Sequence, residues 1–278
     1  MIVVESAGIT DVGRKRKSNE DSLFVDDGLG LYMVADGMGG HRAGEVASEL
    51  VIETVQVYIK QIHSNTAQAE LATADSSLSK EANHLLASIH LANKGVHQIA
   101  QSNDAYRGMG STISAAYFTD QTVIAANVGD SPIYLIHDGT IELLSVIHNV
   151  ITEQTAIDPA AADKLGDDVK FLLTRAMGVE ESGRPDVCEV PIFKEDILVI
   201  SSDGLSDLVS PEEILDVAGQ EPSVAACQKL IEIANNRGGH DNISVVVLKI
   251  KDMKKRGGIT KLRTRIARRM IRYLEKYI

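Results

Sequence analysis

The first forty residues carry the alternating hydrophobic pattern of β-strands. Three stretches rich in β-branched and aliphatic residues, 2–10, 22–25 and 31–36, predict strands, and the run Asp-Asp-Gly-Leu-Gly at 26–30 predicts a turn before the third. The apolar residues next recur at every third or fourth position, which predicts helices over 44–63 and 79–101. The apolar face of the first helix contains Val46, Leu50, Val51, Val55 and Ile59, and that of the second contains Leu85, Ile89, Val96 and Ile99.

The second half returns to strand patterns. Strands are predicted at 111–118, 121–128, 132–136, 140–144, 186–192, 196–203 and 243–250, and short helices at 211–217 and 223–236. Residues 148–170 are mostly polar and have no clean period, which predicts a mobile loop or flap. Two helices after a strand pair, followed by a meander, predict mixed antiparallel sheets covered by helices. The simplest division is one domain, 1–250, followed by a tail, 251–278.

Composition narrows the class of protein. Hydrophobic residues make up 44% and charged residues 24%, which is ordinary for a globular protein, but aromatic residues are only 4% and Trp is absent. The core must therefore consist mainly of Val, Ile, Leu and Ala. The two cysteines, Cys188 and Cys227, are too few for a disulfide framework. With no signal peptide and no apolar run of the ~20 residues that a transmembrane helix needs, a cytoplasmic location is expected.

The net charge of −11 is unevenly distributed. Residues 251–278 contain eleven Lys or Arg and only two acidic residues, so the preceding 250 residues carry −20. Such an acidic body repels nucleic acid, which is therefore not the partner we expect. Within the tail, apolar residues recur at helical spacing among the cations and predict a basic amphipathic helix. Three contacts remain open for this helix: the acidic body itself, an acidic membrane surface, which would make the protein membrane-peripheral, or a partner protein.

Carboxylates accompany glycines where several apolar runs end. Asp36, Asp203 and Asp241 lie in such places, Asp130 lies similarly in the meander, and Glu20-Asp21 precedes the second strand. Oxygen ligands from scattered loops suit a hard cation such as Mg²⁺ or Mn²⁺. Taken singly, each Asp-Gly pair is more simply a turn, as we interpret Asp138-Gly139. The set as a whole predicts a metal site.

Seven segments of the chain carry distinctive motifs: TDVGRKRKSNEDS, VADGMGGHRAGEVAS, RGMGSTISAAY, ANVGDS, FLLTRAMG, ISSDGLSD and GGHDNISVVVL. In their order and approximate spacing these segments resemble the metal-dependent protein phosphatases, the type 2C serine/threonine phosphatases, in their compact bacterial form. The resemblance covers residues 6–250. It implies an α+β fold in which two stacked antiparallel β-sheets are flanked by helices, an αββα sandwich with a flap. It also implies hydrolysis of phosphoserine and phosphothreonine in proteins by a water activated between two cations.

The resemblance also implies roles for individual residues. Asp36 would bridge two Mn²⁺ or Mg²⁺ ions, with the Gly37 carbonyl on one of them. Asp203 and Asp241 would hold the other ion, Glu20 and Asp21 would act through water, and Asp130 would serve a weaker third ion. Arg16 would grip the phosphate through its planar fork, and His41 would protonate the leaving alkoxide. Two other functions stay open on this scaffold: a small-molecule phosphatase and a catalytically silent phosphoprotein-binding module.

The chain departs from the family pattern at two places. Pro132 stands where the family usually has arginine, and Ile147-His148 stands where it usually has Asp-His. None of the three residues receives a catalytic role on the resemblance. We expect the flap to contribute to substrate discrimination.

Overall fold

Two antiparallel β-sheets form the centre of the protein. The computed structural model describes residues 2–39, 43–64 and 74–253. In the first sheet the strand order is β1 (Ile2–Asp11), β11 (Ile243–Met253), β10 (Ile197–Ser201), β7 (Ile133–His137) and β8 (Thr140–Leu143). The second sheet runs β2 (Asp21–Asp26), β3 (Leu31–Met38), β5 (Ile113–Phe118), β6 (Thr122–Val128) and β9 (Asp186–Pro191), and the short β4 (Gly110–Ser111) pairs with the end of β3.

Helices cover the outer face of each sheet, and three hydrophobic clusters define four layers. One cluster joins the second sheet to α1 (Ala43–His63) and α2 (Lys80–Ser102). Another joins the first sheet to α7 (Pro211–Gln220) and α8 (Ser223–Asn236), and the third lies between the sheets. The predicted αββα sandwich is therefore confirmed, and both long helices begin and end within one residue of their predicted bounds.

The central strands are buried on both faces. In β10, Val199 packs towards the helices whereas Leu198 and Ile200 pack between the sheets, and all three are fully buried. A strand covered on both faces needs apolar residues at every position. This explains why β10 and β11 appear in the sequence as continuous apolar runs.

The segment 148–170, predicted as a mobile loop or flap, contains three short helices that the sequence pattern did not indicate. They are α3 (Val150–Ile157), α4 (Pro159–Ala162) and α5 (Asp167–Lys170). The Asn149 side chain caps α3 by accepting from Thr152 N, and Asp158 caps α4. In α3 and α4 only Ala162 is buried. Without a packed face there is no hydrophobic period to recognise, so the signal lies in the caps instead.

The C-terminal tail lies largely outside the described residues. Strand β11 continues to Met253, so the first three residues of the predicted tail extend the strand, with Asp252 and Met253 paired to β1. Residues 254–278 are not described, and the contacts predicted for them remain predictions, as does the division at residue 250. Among the described helices, none combines the length and apolarity needed to cross a membrane.

Candidate active site

The predicted metal residues meet at one end of the sandwich. Asp36 lies in β3, Asp203 begins the short helix α6 (Asp203–Ser206) after β10, and Asp241 lies two residues before β11. They line one cleft of about 740 Å³. Because β10 and β11 are antiparallel, with Ser201 opposite Val245, the end of one strand adjoins the start of the other. Topology thus places residues from distant parts of the sequence side by side. The cleft is also lined by Arg16, Glu20, Gly37 and Asp130.

Thr112 holds the backbone of Asp36 through both its N–H and its carbonyl. Its N–H donates to Thr112 Oγ1 (2.9 Å), and its carbonyl accepts from Thr112 N (2.8 Å). The residue lies two positions inside β3 rather than at its end, because β4 pairs with Gly37 and Met38 and prolongs the strand. Gly37 is required for close packing, since a Cβ there would overlap the carbonyl oxygens of Gly44 and Glu20.

Asp21 lies beneath the cleft and is nearly buried. Its Oδ2 accepts hydrogen bonds from Ser202 Oγ (2.8 Å) and Ser244 Oγ (2.6 Å), but its buried Oδ1 has no partner among the described residues. Burial raises the pKa of Asp21 to about 7, even though both serines lower it. The carboxyl therefore holds a proton much more tightly than a solvated aspartate does.

The other acids of the cleft destabilise one another's charges in the same way. The pKa of Asp36 lies well above its ordinary value because of burial, the charges of Asp21 and Asp203, and a hydrogen bond from its protonated carboxyl to Asp203. Burial and Asp203 raise the pKa of Asp130 to about 7. Asp203 has a raised pKa as well, and its buried Oδ1 lacks a partner within the described ranges.

This donor set fits a hard cation. Buried carboxylates without partners are unfavourable unless something positive compensates them, and the donors are all oxygen atoms. As they stand, no three His, Cys, Asp or Glu side chains of the described chain are arranged as a complete ligand set. In this arrangement the Oδ2 of Asp241 is paired with the guanidinium of Arg16.

Arg16 projects into the cleft from the loop between β1 and β2. Its Nη2 lies 2.6 Å from Asp241 Oδ2, and about half of its side chain is exposed. The neighbouring carboxylates of Asp241, Glu20 and Asp36 raise the pKa of Arg16 although burial opposes this. The guanidinium is thus held at the mouth of the cleft with donors accessible to a ligand.

Asn242 fixes this loop, and sequence reasoning gave it no role. Its Oδ1 accepts from Glu20 N (2.8 Å), and its Nδ2 donates to the carbonyls of Val12 (3.0 Å) and Ser18 (2.9 Å). One buried amide therefore positions both Arg16 and Glu20 relative to Asp241. Its place directly after Asp241 in the GGHDN motif was the available signal.

Further residues escaped the sequence analysis. Asp207, one turn after Asp203, has its pKa raised to about 6 by burial and by Asp203 and Asp241, so it belongs to the same acidic field. Phe171, Leu172 and Val179 line the cleft with more than half of each side chain exposed. His41 lies outside the described residues, so its predicted role remains untested.

Comparisons with known proteins agree with this geometry. A family model described as protein phosphatase 2C matches residues 13–245. The serine/threonine phosphatase stp of Listeria welshimeri is 35% identical over 251 residues, which cover 88% of this chain and 96% of that protein. Protein phosphatase PhpP of Streptococcus pneumoniae serotype 2 is 31% identical over 256 residues, covering 90% and 98%.

A solved structure gives the same result at the level of the fold. The catalytic domain of the serine/threonine protein phosphatase PstP, in complex with two manganese ions, is 30% identical and has a TM-score of 0.75. The match covers 91% of this chain and the whole of that one. The fold, the ordered motifs and the family model agree, and the chain belongs to the protein phosphatase 2C family.

Proposed function

We propose that the cleft is the active site of a serine/threonine protein phosphatase that depends on Mn²⁺ or Mg²⁺. The observation that carries this proposal is the buried carboxylate group of Asp21, Asp36 and Asp203, in a cleft that Arg16 also lines. Asp21 and Asp203 each have a buried oxygen without a partner among the described residues. Carboxylates of this kind attract cations, and the guanidinium attracts phosphate. Family membership supports the reaction class, and the names of its relatives support phosphoproteins as substrates.

Each acid would have a distinct part in holding the ions. Asp36 would bridge two ions, Asp203 and Asp241 would complete one site, and the Gly37 carbonyl would complete the other. Glu20 and Asp21 would orient bound water, and Asp130 would serve a weaker third ion. Bound there, the cations would lower the pKa of a water molecule between them and supply the nucleophile for phosphoester hydrolysis.

The remaining residues would handle the substrate. The guanidinium of Arg16 would leave Asp241 and donate hydrogen bonds to two oxygens of the substrate's phosphate. It would thereby hold the phosphoryl group next to the acids and offset its negative charge. This exchange would also free Asp241 Oδ2 for a cation. His41 keeps its sequence-based assignment as the proton donor to the leaving serine or threonine oxygen.

The direct test is phosphate release from a phosphothreonine peptide with and without Mn²⁺. The matched variants are Asp36→Asn and Asp138→Asn, since both residues precede glycine but Asp138 lies on an exposed turn at the opposite end of the sandwich. Mn²⁺-dependent release that disappears only in Asp36→Asn would support the proposal. Release from sugar phosphates but not from peptides would indicate a small-molecule phosphatase, and peptide binding without release would indicate a silent module.

A further inference from the structure

A fully buried histidine connects the flap to the acidic cleft. We define the flap as residues 148–170 and its return segment as residues 171–175. His148, at the start of the flap, has no solvent exposure, and the polar atoms of its ring are all used. Nothing in the proposed reaction involves it, so its burial and bonding call for a separate explanation.

One side of His148 holds the turn that carries Asp130. Gly129 N donates to His148 Nδ1 (3.0 Å), and Gly129 O accepts from His148 N (3.0 Å). Because Nδ1 accepts a hydrogen bond, the ring proton must be on Nε2. The backbone immediately before Asp130 is therefore bonded twice to this one residue.

The other side of His148 holds the return segment. With its proton on Nε2, the ring donates to Asp186 Oδ2 (2.7 Å), which also accepts from Arg175 Nη1 (2.8 Å). The His148 carbonyl accepts from Thr174 N (3.0 Å), and Thr174 Oγ1 donates to Glu153 in α3. Asp186 thus joins the beginning of the flap to the return segment.

We propose that His148 is a positioning residue that ties the flap and its return segment to the Asp130 turn. The first residues of the flap and Asp130 would then keep a fixed position relative to each other. A substrate that contacts the flap would therefore be held in a defined position relative to the acids of the cleft. The consequence for Asp130 rests on the proposed function, whereas the mechanical link between flap and turn does not.

Two substitutions separate the two sides of the ring. In His148→Asn, the amide Oδ1 replaces Nδ1 as acceptor for Gly129 N, but the donor to Asp186 is lost. In His148→Gln, the longer amide reaches Asp186 as a donor, but the acceptor for Gly129 is lost. Asp186→Asn is a further variant on the flap side, in case the buried histidine does not tolerate substitution. His137→Asn is the control, because His137 likewise pairs with an aspartate, here Asp196 through Nδ1, but lies at the end of β7 away from the cleft.

The readouts are tryptic cleavage after the exposed Lys164, two residues beyond the end of α4, and the kinetics of phosphopeptide hydrolysis with Mn²⁺. In His148→Asn and Asp186→Asn we expect cleavage about tenfold faster and a raised KM, as loss of a charge-assisted hydrogen bond implies. In His148→Gln we expect kcat to fall about tenfold, with cleavage close to that of the unsubstituted protein. His137→Asn should leave both unchanged.

The proposal is overturned if the Asn and Gln variants show the same pattern, or if cleavage stays slow in both His148→Asn and Asp186→Asn. Cleavage needs no catalysis. An inactive protein whose flap still loosens as expected would therefore contradict the proposed function and leave the flap link standing.

Discussion

Strand β10 has an aspartate next to each of its ends, and the two are in opposite states. Asp196, immediately before the strand, is 2% exposed, yet both of its oxygens have partners: Oδ1 pairs with His137 Nδ1 (2.6 Å), and Oδ2 accepts from Phe193 N (2.7 Å). Asp203, just after the strand, has a buried oxygen without a partner in the described structure and lies beside Asp36 and Asp241.

Burial raises the pKa of both carboxyls, so burial alone does not separate a structural acid from a functional one. The difference lies in what faces each charge. At the Asp196 end a histidine and a backbone N–H complete the contacts locally. At the Asp203 end the described groups that act on its charge are mainly other acids, with Arg16 opposing them, and a bound cation would supply further positive charge. The comparison predicts that Asp203 matters for activity and Asp196 for stability.

The largest expected effect is on catalysis. Asp203→Asn should lower kcat/KM for a phosphothreonine peptide by about 10³-fold, because it removes a charge on which cation binding would depend. Asp196→Asn should stay within about twofold of the unsubstituted protein, as expected for a residue at the opposite end of β10. Steady-state assays at saturating Mn²⁺ measure both. Equal losses in the two variants would remove the distinction between the two ends.

Arg16 gives the next largest effect. Arg16→Lys keeps the charge but loses the planar fork, and we expect kcat/KM to fall about 10²-fold, mostly through KM. Lys17→Ala, one residue further in the same loop, is the matched control and should have little effect. Inhibition by inorganic phosphate, measured in parallel, should weaken only in the Arg16 variant. Unchanged phosphate inhibition would show that Arg16 does not bind the phosphoryl group.

Removal of Asp196 should mainly affect folding. Asp196→Ala leaves Phe193 N and His137 without their shared acceptor, which should lower the free energy of unfolding by about 2 kcal/mol. Urea denaturation followed by circular dichroism measures the change. Glu142→Ala, in the exposed strand β8, is the control and should fall within about 0.5 kcal/mol. A negligible effect of Asp196→Ala would mean that the pair of His137 and Asp196 does not contribute to the stability of the fold.

The sequence predicted features that depend on local patterns and missed contacts between residues that are far apart along the chain. Apolar runs predicted the buried strands, since β10 and β11 are covered on both faces and leave no room for polar positions. The resemblance supplied the cleft acids because their motifs are local and ordered. The pair of His137 with Asp196 joins residues 59 positions apart, and the Asn242 bonds reach residues more than 220 positions away. Such partners depend on strand register, which no local pattern specifies. The short flap helices lacked a buried face and so had no period.

The smallest expected effect is the change in the stability of the metal-free protein with pH, which again compares the two ends of β10. Asp21 and Asp130 have a pKa of about 7 in the folded chain against about 3.9 for a solvated aspartate. The folded state therefore binds more protons between these values, and the metal-free protein should lose stability as pH rises from 5.5 to 7.5, by at least about 1 kcal/mol. His137, whose pKa is raised chiefly by its hydrogen bond to Asp196, changes stability in the same direction.

Mn²⁺ separates the contribution of the cleft acids to this pH dependence from that of His137, because only the cleft acids would bind the cation. Protons compete with the cation for these carboxylates, so the rise in Tm caused by a fixed Mn²⁺ concentration should be larger at pH 7.5 than at pH 5.5. Differential scanning fluorimetry measures this rise, with Asp203→Asn as the variant in which it should be strongly reduced and Asp196→Asn as the variant in which it should persist. A rise in Tm that is independent of pH would show that cation binding does not displace protons from the buried acids, and the contrast between the two ends of β10 would then need another cause.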